Sequence, residues 1–242
     1  MNLVMKIALI GYGKMGKIIE KFALSRGHEI VCIIDVDNLD CFDSDGFRSA
    51  DVAIEFTQPA VAVDNYRRCF NCGIPVVAGT TGWTEHLPEI KKACEEDNQT
   101  FFYASNYSLG VNIFFAMNEY LAKIMNRFPS YDVSMEEVHH IHKLDSPSGT
   151  SISLAEGILS QIDRKKSWEE NDSVPKETLQ INTFRRNEVP GFHSVTYDSE
   201  VDTITISHNA KSRNGFALGA VVAAEFLNGK KGFYGMKDML DF

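Results

Sequence analysis

The sequence predicts an α/β chain in two parts, a doubly wound parallel sheet and a second α+β domain built on a mixed sheet. Three features predict it. Short apolar runs alternate with helix-period segments over the first hundred residues, the pattern of a parallel sheet covered on both faces. The first run ends in Gly11-Tyr12-Gly13-Lys14-Met15-Gly16, a glycine turn that carries the chain from a strand directly into a helix. Beyond residue 109 one long helical pattern gives way to strands separated by turn residues, the spacing of a mixed or antiparallel sheet.

Residues 6–10 form the first apolar strand, and 14–25 a helix with Met15, Ile18, Ile19 and Phe22 at helical spacing. Strands follow at 29–35, 52–56, 75–78 and 100–104, with helices at 61–72 and 85–96. Residues 109–128 read as one long apolar-rich helix stopped by Pro129. A strand at 132–139, a helix at 150–163 and a polar loop at 164–176 come next, then strands at 179–185, 193–197 and 203–208. Residues 216–227 return to helix, where Gly219, Ala220, Ala223 and Ala224 give a small, closely packing face. The expected division is one domain over 1–106 and 216–242, with 107–215 inserted into it.

Composition excludes several function classes. Twenty-four basic against thirty-three acidic side chains give a net charge of −9, which argues against non-specific nucleic-acid binding. An anionic substrate would therefore need a locally basic pocket. No apolar run reaches the length of a membrane span, so no membrane partner is expected. Residues 1–6 read as the lead-in to a strand and lack the layout of a signal peptide. Five scattered cysteines predict a reduced, cytoplasmic setting. Cys69 and Cys72 have C-x-x-C spacing but no second pair nearby, and they read as small apolar residues on the inner face of a helix.

The glycine turn has the context of a Rossmann-type dinucleotide site. Gly11 permits the tight turn, Gly13 lets backbone approach a pyrophosphate, and Gly16 lets helix and strand pack closely. Asp35 stands at the end of the second strand, about 20 residues on, where a carboxylate accepts from the adenosine ribose. It repels a 2′-phosphate and Val36 adds no positive charge, so NADH is expected over NADPH. Phe56-Thr57 and Gly79-Thr80-Thr81-Gly82 end the next two strands, at the sheet edge where the nicotinamide half belongs.

The second chemical signal is the run Glu137-Val-His-His-Ile-His-Lys-Leu-Asp-Ser-Pro-Ser-Gly-Thr-Ser151. Three imidazoles and one ammonium fall within five positions. Lys143 can donate a proton to an atom made electron-rich by arriving hydride, and a neighbouring histidine can relay or hold charge. Ser148-Gly149-Thr150 opens a helix whose free N–H groups favour a carboxylate. Together these predict a small acidic substrate with a reducible C=N or conjugated bond. If the segment is extended, His139, Ile141 and Lys143 share one side and His140 and His142 the other. Lys143 beside the histidines would repel a cation, and no metal is expected.

In these residues the sequence resembles the 4-hydroxy-tetrahydrodipicolinate reductase (dihydrodipicolinate reductase) family, nicotinamide-dependent enzymes of the diaminopimelate route to lysine. The Glu-x-His-His-x-His-Lys-x-Asp-x-Pro-Ser-Gly-Thr signature carries the likeness. Further matches are Phe56-Thr57-x-Pro59, Gly79 to Gly82, Ser105-Asn106-Tyr107-Ser108-x-Gly110-Val111-Asn112 and Ser207-His208-x-Ala210-x-Ser212-Arg213.

The resemblance implies His139 as active-site histidine and Lys143 as proton donor, with substrate-carboxylate contacts at His140, Gly149 and Thr150. It implies cofactor contacts at Gly11, Tyr12, Gly13, Lys14, Met15 and Gly16, at Asp35, at Gly79, Thr80 and Thr81, and at Ala104, Ser105, Asn106 and Tyr107. It also implies hydride transfer to C4 of a cyclic dicarboxylate with loss of water, and a homotetramer associating through the second domain. Arg213 joins the expected carboxylate contacts by its charge and its place after Ser207-His208. There are departures: the glycine loop is one residue shorter than the common family form, Lys14 stands where arginine is usual, and the stretches 35–51 and after Asp163 are short.

Overall fold

Strands buried on both faces need helices above and below them, and the chain supplies both layers. A computed structural model describes residues 4–171 and 173–241. Residues 1–3 of the expected lead-in to the first strand lie outside the described residues. In chain order the elements are β1 (Lys6–Ile10), α1 (Lys14–Ser25), β2 (Glu29–Ile34), α2 (Asp45–Arg48), β3 (Val52–Glu55), α3 (Pro59–Asn71), β4 (Val76–Ala78), α4 (Leu87–Glu96) and β5 (Thr100–Tyr103). They continue with α5 (Leu109–Met125), β6 (Asp132–His139), α6 (Gly149–Leu159), β7 (Ser167–Glu169), β8 (Thr178–Arg185), β9 (Phe192–Asp198) and β10 (Thr203–Asn209). The chain closes with α7 (Asn214–Leu227), β11 (Gly232–Tyr234) and α8 (Met236–Leu240).

These form two compact units, Met1–Leu109 with Asn214–Phe242, and Gly110–Arg213. The first holds a six-stranded sheet of order β11-β5-β4-β3-β1-β2 whose pairings are all parallel. Alternation sorts its side chains into two cores. Ile7, Leu9, Ile54, Val77 and Phe102 face one side and pack with α1 and α7 residues such as Ile19, Ala220 and Ala224. Ala8, Ile10, Ala53, Val76 and Phe101 face the other and pack with Ala62, Tyr66, Cys69 and Ile90. Cys69 is thus a buried core residue, while Cys72 is exposed.

The second unit holds a five-stranded sheet of order β10-β9-β6-β8-β7. β6 pairs parallel with β8 and antiparallel with β9, which makes the sheet mixed, as the turn spacing predicts. Its core joins Val133, Met135, Leu179, Ile181, Val195 and Tyr197 to Phe114, Leu154, Ala155 and Ile158 of α5 and α6. No helix among the described residues is long and apolar enough to cross a membrane.

The structure adds elements that the sequence pattern does not reveal. In the short stretch after β2, a 3-10 turn at Leu39–Asp43 and α2 bury Phe42 and Phe47 edge to face, 5.1 Å between centroids. Within the expected polar loop, β7 adds a parallel edge strand to β8; buried Lys165 anchors this region through the carbonyls of Lys176 and Thr178. β11 extends the first sheet beyond β5, and three residues are too few for periodicity to reveal it. α3 begins at Pro59, two residues before the expected start, because proline suits the first helical turn.

Gly219 shows how tightly α7 closes on the first sheet, since a Cβ there would fall on the Tyr107 carbonyl oxygen. Gly219→Ala should therefore destabilise the protein by about 2–3 kcal/mol through overpacking. Denaturant unfolding checks this; a loss under about 0.5 kcal/mol, the range of neutral surface changes, would refute the packing argument.

Candidate active site

Strand periodicity places β6 positions 133, 135, 137 and 139 on one face. Val133 and Met135 join the core, so Glu137 and His139 are carried inward behind them, Glu137 to zero exposure. A buried carboxylate needs partners, and register supplies them. Cross-strand pairing puts His193 of β9 opposite Glu137, and Arg185 of β8 opposite His139. Glu137 Oε2 accepts from the Ser148 backbone N–H at 3.0 Å and from Ser151 Oγ at 2.5 Å. Glu137 Oε1 accepts from Arg185 Nη1 at 3.2 Å and lies 3.6 Å from His139 Nδ1. Burial would push its pKa up; the His139 imidazole and the Ser148 and Ser151 donors outweigh that and hold it well below the usual carboxylate range.

His193 completes the group. Its Nε2 lies 3.1 Å from Ser148 Oγ and 3.8 Å from Glu137 Oε2, and its ring meets His139 edge to face at 5.0 Å. Burial first, then the neighbouring His139, brings its pKa down to about 4, against the pull of Glu137. His193 is therefore neutral at neutral pH. Ligand atoms of Glu137, His139 and His193 lie within 4.8 Å of one another, a spacing that a cation could use. The Arg185 guanidinium already sits on the same carboxylate, so its charge is answered within the protein.

The 137–151 run does not stay extended, which corrects the expected alternation of its side chains. The Arg186 N–H takes the His139 carbonyl (2.8 Å) as the last bond of the β6–β8 ladder, and beyond it the Lys143 N–H turns back to the His140 carbonyl (3.2 Å). Lys143 Nζ is held by both oxygens of Asp145, at 2.7 and 2.8 Å, and this hydrogen bond depresses the Asp145 pKa. Arg185 Nη2 bonds the Asp145 carbonyl at 2.8 Å, tying the lysine loop to the Glu137 hub. His142 swings outward to Glu188 at 3.3 Å. His140 is half-buried, and its Nδ1 is sealed from solvent without a protein partner.

A second correction concerns Ser148. It is buried, and its groups are committed: the N–H to Glu137, the Oγ to the Ser151 N–H and His193. It is the N-cap of α6 and cannot also grip a substrate carboxylate. The helix N–H groups of Gly149 and Thr150 have no intrahelical acceptor, and a Cβ on Gly149 would meet nothing within 4 Å. This end of α6 is open to an anion. Arg213 is exposed at the last residue of the second unit.

In the first unit, Gly11 has φ +90°, and a Cβ there would strike the Phe56 carbonyl. A Cβ on Gly16 would strike the Gly11 carbonyl, whereas one on Gly13 would meet nothing within 4 Å. The turn is thus closed on its protein side and open where a pyrophosphate would lie, and α1 starts with neither a side-chain cap nor an acidic residue. Tyr12 donates to Glu20 at 2.5 Å, Lys14 is exposed and Met15 is partly buried.

Asp35 follows β2, its backbone N–H braced by Asn38 Oδ1 at 2.7 Å. Phe56 packs on Gly79, where a Cβ would fall inside its ring, and the Thr57 N–H donates to Thr80 Oγ1 at 2.8 Å. Thr81 and Ser105 are exposed, Asn106 is half-buried and accepts from the Ser108 N–H, and Ala104 is buried. The Tyr107 side chain is buried with its hydroxyl on the Ala78 carbonyl at 2.8 Å, which leaves it no free polar group.

Glu137, Ser151, Arg185, His193 and Asp145 carry no assigned role in the sequence reading. A usable signal was there for His193 and Glu137: each is a titratable residue in phase with the apolar residues of its strand.

One unit presents a glycine turn with an open side at Gly13 ahead of an uncapped helix, and the other a carboxylate-paired lysine on the loop that leads to the start of α6. The chain belongs to the dihydrodipicolinate reductase family: the description "Dihydrodipicolinate reductase, N-terminus" matches residues 5–107, and "Dihydrodipicolinate reductase, C-terminus" residues 110–240. It is 48% identical to a 4-hydroxy-tetrahydrodipicolinate reductase of Christiangramia forsetii over 98% of both chains. It is 32% identical to a protein of the same name from Methanococcus vannielii, over 98% of this chain and 99% of the other. Among solved structures, a dipicolinate-bound dihydrodipicolinate reductase from Paenisporosarcina sp. TG-14 shares the fold, with TM-score 0.80, 22% identity and coverage of 98% and 99%.

The hub makes stability acid-sensitive in two adjoining windows. His193 has a folded pKa of about 4, below its ordinary 6.5, so the unfolded chain takes the proton first and stability falls between those values, by roughly 3 kcal/mol. Glu137, also depressed, stabilises above the unfolded carboxylate value of about 4.3 and loses that contribution as pH falls below it. Urea unfolding across pH should show the His193→Gln variant losing the upper window alone; equal slopes for both proteins would contradict this assignment.

Proposed function

We propose that this chain reduces 4-hydroxy-tetrahydrodipicolinate to tetrahydrodipicolinate and water, in the diaminopimelate route to lysine. The observation that carries the reading is the joining of a paired lysine, Lys143 on Asp145, to an open helix end at Gly149 and Thr150 through one buried carboxylate. The C4 hydroxyl leaves as water together with a hydrogen of the adjoining ring carbon, which gives a conjugated ring. Reduced nicotinamide, when bound, would supply hydride to C4, and Lys143 would supply the proton that the adjoining ring carbon takes back. His139 holds charge beside the reacting ring, and Glu137 acts as a positioning residue through Ser148 and Arg185. The Gly149 and Thr150 N–H groups and His140 hold the substrate carboxylates, with Arg213 as a further contact.

The cofactor reading rests on the first unit. The uncapped start of α1 and the open side of Gly13 suit a pyrophosphate. Contacts from Tyr12, Lys14, Met15, Asp35, Phe56, Thr57, Gly79, Thr80, Thr81, Ala104, Ser105 and Asn106 fit the strand ends that bear them. Tyr107 contributes by supporting this edge from the core. Asp35, with Asp37 close behind and no cation between them, supports NADH over NADPH. The cytoplasm is the proposed setting, and the family resemblance supports a homotetramer.

Lys143→Ala should lower kcat by about 10²–10⁴, the range for loss of a general acid, while the NADH dissociation constant stays nearly unchanged; an ordinary kcat would retire Lys143 as donor. The assay should couple the preceding synthase so that the substrate forms in place. In the same assay NADH should give a higher kcat/KM than NADPH, and equal or reversed values would defeat the role given to Asp35.

A further inference from the structure

A second buried carboxylate stands in the first unit, at the carboxyl end of an interior strand. Glu55 ends β3 with zero exposure. Thr57 Oγ1 and Thr80 Oγ1 both donate to its Oε1, the latter at 3.1 Å, and Tyr66 OH donates to Oε2 at 3.2 Å. Among the described residues no lysine, arginine or histidine pairs with it. A charge buried without a cation is costly, and a strand end meant only for stability would do better with an apolar or amide side chain.

What the carboxylate does is fix hydroxyl directions. Ionised, it is acceptor-only, so every hydroxyl facing it points its hydrogen inward. The Thr80 hydroxyl, with its hydrogen on Glu55, turns a lone pair to the Thr57 N–H at 2.8 Å. The Thr57 hydroxyl does the same for Asn65 Nδ2 at 3.4 Å. Trp83 Nε1 clamps the Thr80 carbonyl at 2.7 Å. Two turns from different strands, 56–57 and 79–81, are thereby bolted to one side chain at the carboxyl ends of β3 and β4.

We infer that Glu55 is a positioning residue for the nicotinamide cofactor, holding the two turns against which the reduced ring end of the dinucleotide binds. This deepens the proposed function and rests on it. Its signature is that affinity and stability part company. Burial pushes the Glu55 pKa up, so ionised Glu55 detracts from stability as pH rises through its unfolded value. Glu55→Gln removes that burden, but its amide N–H₂ replaces one acceptor oxygen, so whichever hydroxyl donated to that oxygen, that of Tyr66 or those of the threonines, must turn and the fixed directions are lost.

The test is NADH titration, followed by nicotinamide fluorescence, with steady-state kinetics and denaturant unfolding on wild type and Glu55→Gln. The variant should be at least as stable at neutral pH. Its NADH dissociation constant and KM should rise about tenfold, equivalent to one lost interaction of ordinary strength, while the KM for the dicarboxylate substrate stays within about twofold. An unchanged NADH constant, or substrate and cofactor KM rising together, overturns the inference. If Glu55→Gln does not accumulate as folded protein, Glu55→Asp decides: a carboxylate withdrawn by one methylene cannot hold the Thr57 and Thr80 hydroxyls together, so NADH binding should weaken, and an unchanged NADH constant overturns the inference. Wild type that binds no nicotinamide would overturn this inference and the proposed function together; wild type that binds while Glu55→Gln binds as well removes this inference alone.

Discussion

Glu137 has no exposed surface, and its charge must be answered from within the second unit. That requirement organises everything near it. One oxygen takes the Ser148 N–H and the Ser151 hydroxyl; the other takes the Arg185 guanidinium. Because Ser148 caps α6, the carboxylate determines where that helix begins and hence where its open N–H groups point. Because Arg185 also grips the Asp145 carbonyl, it determines the path of the loop that carries Lys143. Lys143 and the start of α6 lie on different segments, and one ion pair with its hydrogen bonds sets both. Removing one partner of such a buried pair leaves an uncompensated charge, so these positions cannot vary independently.

The first unit is organised by steric closeness. Gly11, Gly16, Gly79 and Gly219 each stand where a side chain would collide with backbone or ring atoms, of Phe56, Gly11, Phe56 and Tyr107 respectively. Gly13 alone within the turn faces open space. The strand ends are thus drawn into contact with one another and leave a single permissive approach. That shape suits a ligand which binds through main-chain N–H groups.

The legibility of the sequence follows the same division. Contiguous chemistry could be read directly: the glycine turn, Asp35 and the 137–151 run lie in short segments whose spacing has a physical meaning. The alternation of strands and helices exposed the parallel sheet, and the turn spacing beyond residue 109 exposed the mixed one. Hidden were the features created by register. Arg185 and His193 are 48 and 56 residues from Glu137, and only strand pairing brings them together. Ser148 was misjudged because a residue opening an anion-binding helix and a residue capping it look identical in sequence. β11 was missed because three residues joined to a sheet edge show no period.

The two buried carboxylates also differ in a way that bears on what each can do. Glu137 has a guanidinium, one backbone N–H and one hydroxyl as donors, and its charged form is favoured. Glu55 has only hydroxyls, and its charged form is disfavoured. A hydroxyl can donate to one group while accepting from another; a guanidinium cannot. The Glu137 network is centred on an ion pair, extends through Arg185 to the Asp145 carbonyl and through Ser148 to His193, and makes an anchor suited to fixing a helix end and a loop. The Glu55 network passes through its partners to the Thr57 N–H and the Asn65 side chain, so it relays orientation from the core to two surface turns. An anchor suits a site whose proton donor must stand still. A relay suits turns that must present their outer faces to a planar ring. The donors supplied by each environment, more than the carboxylates themselves, separate the two roles.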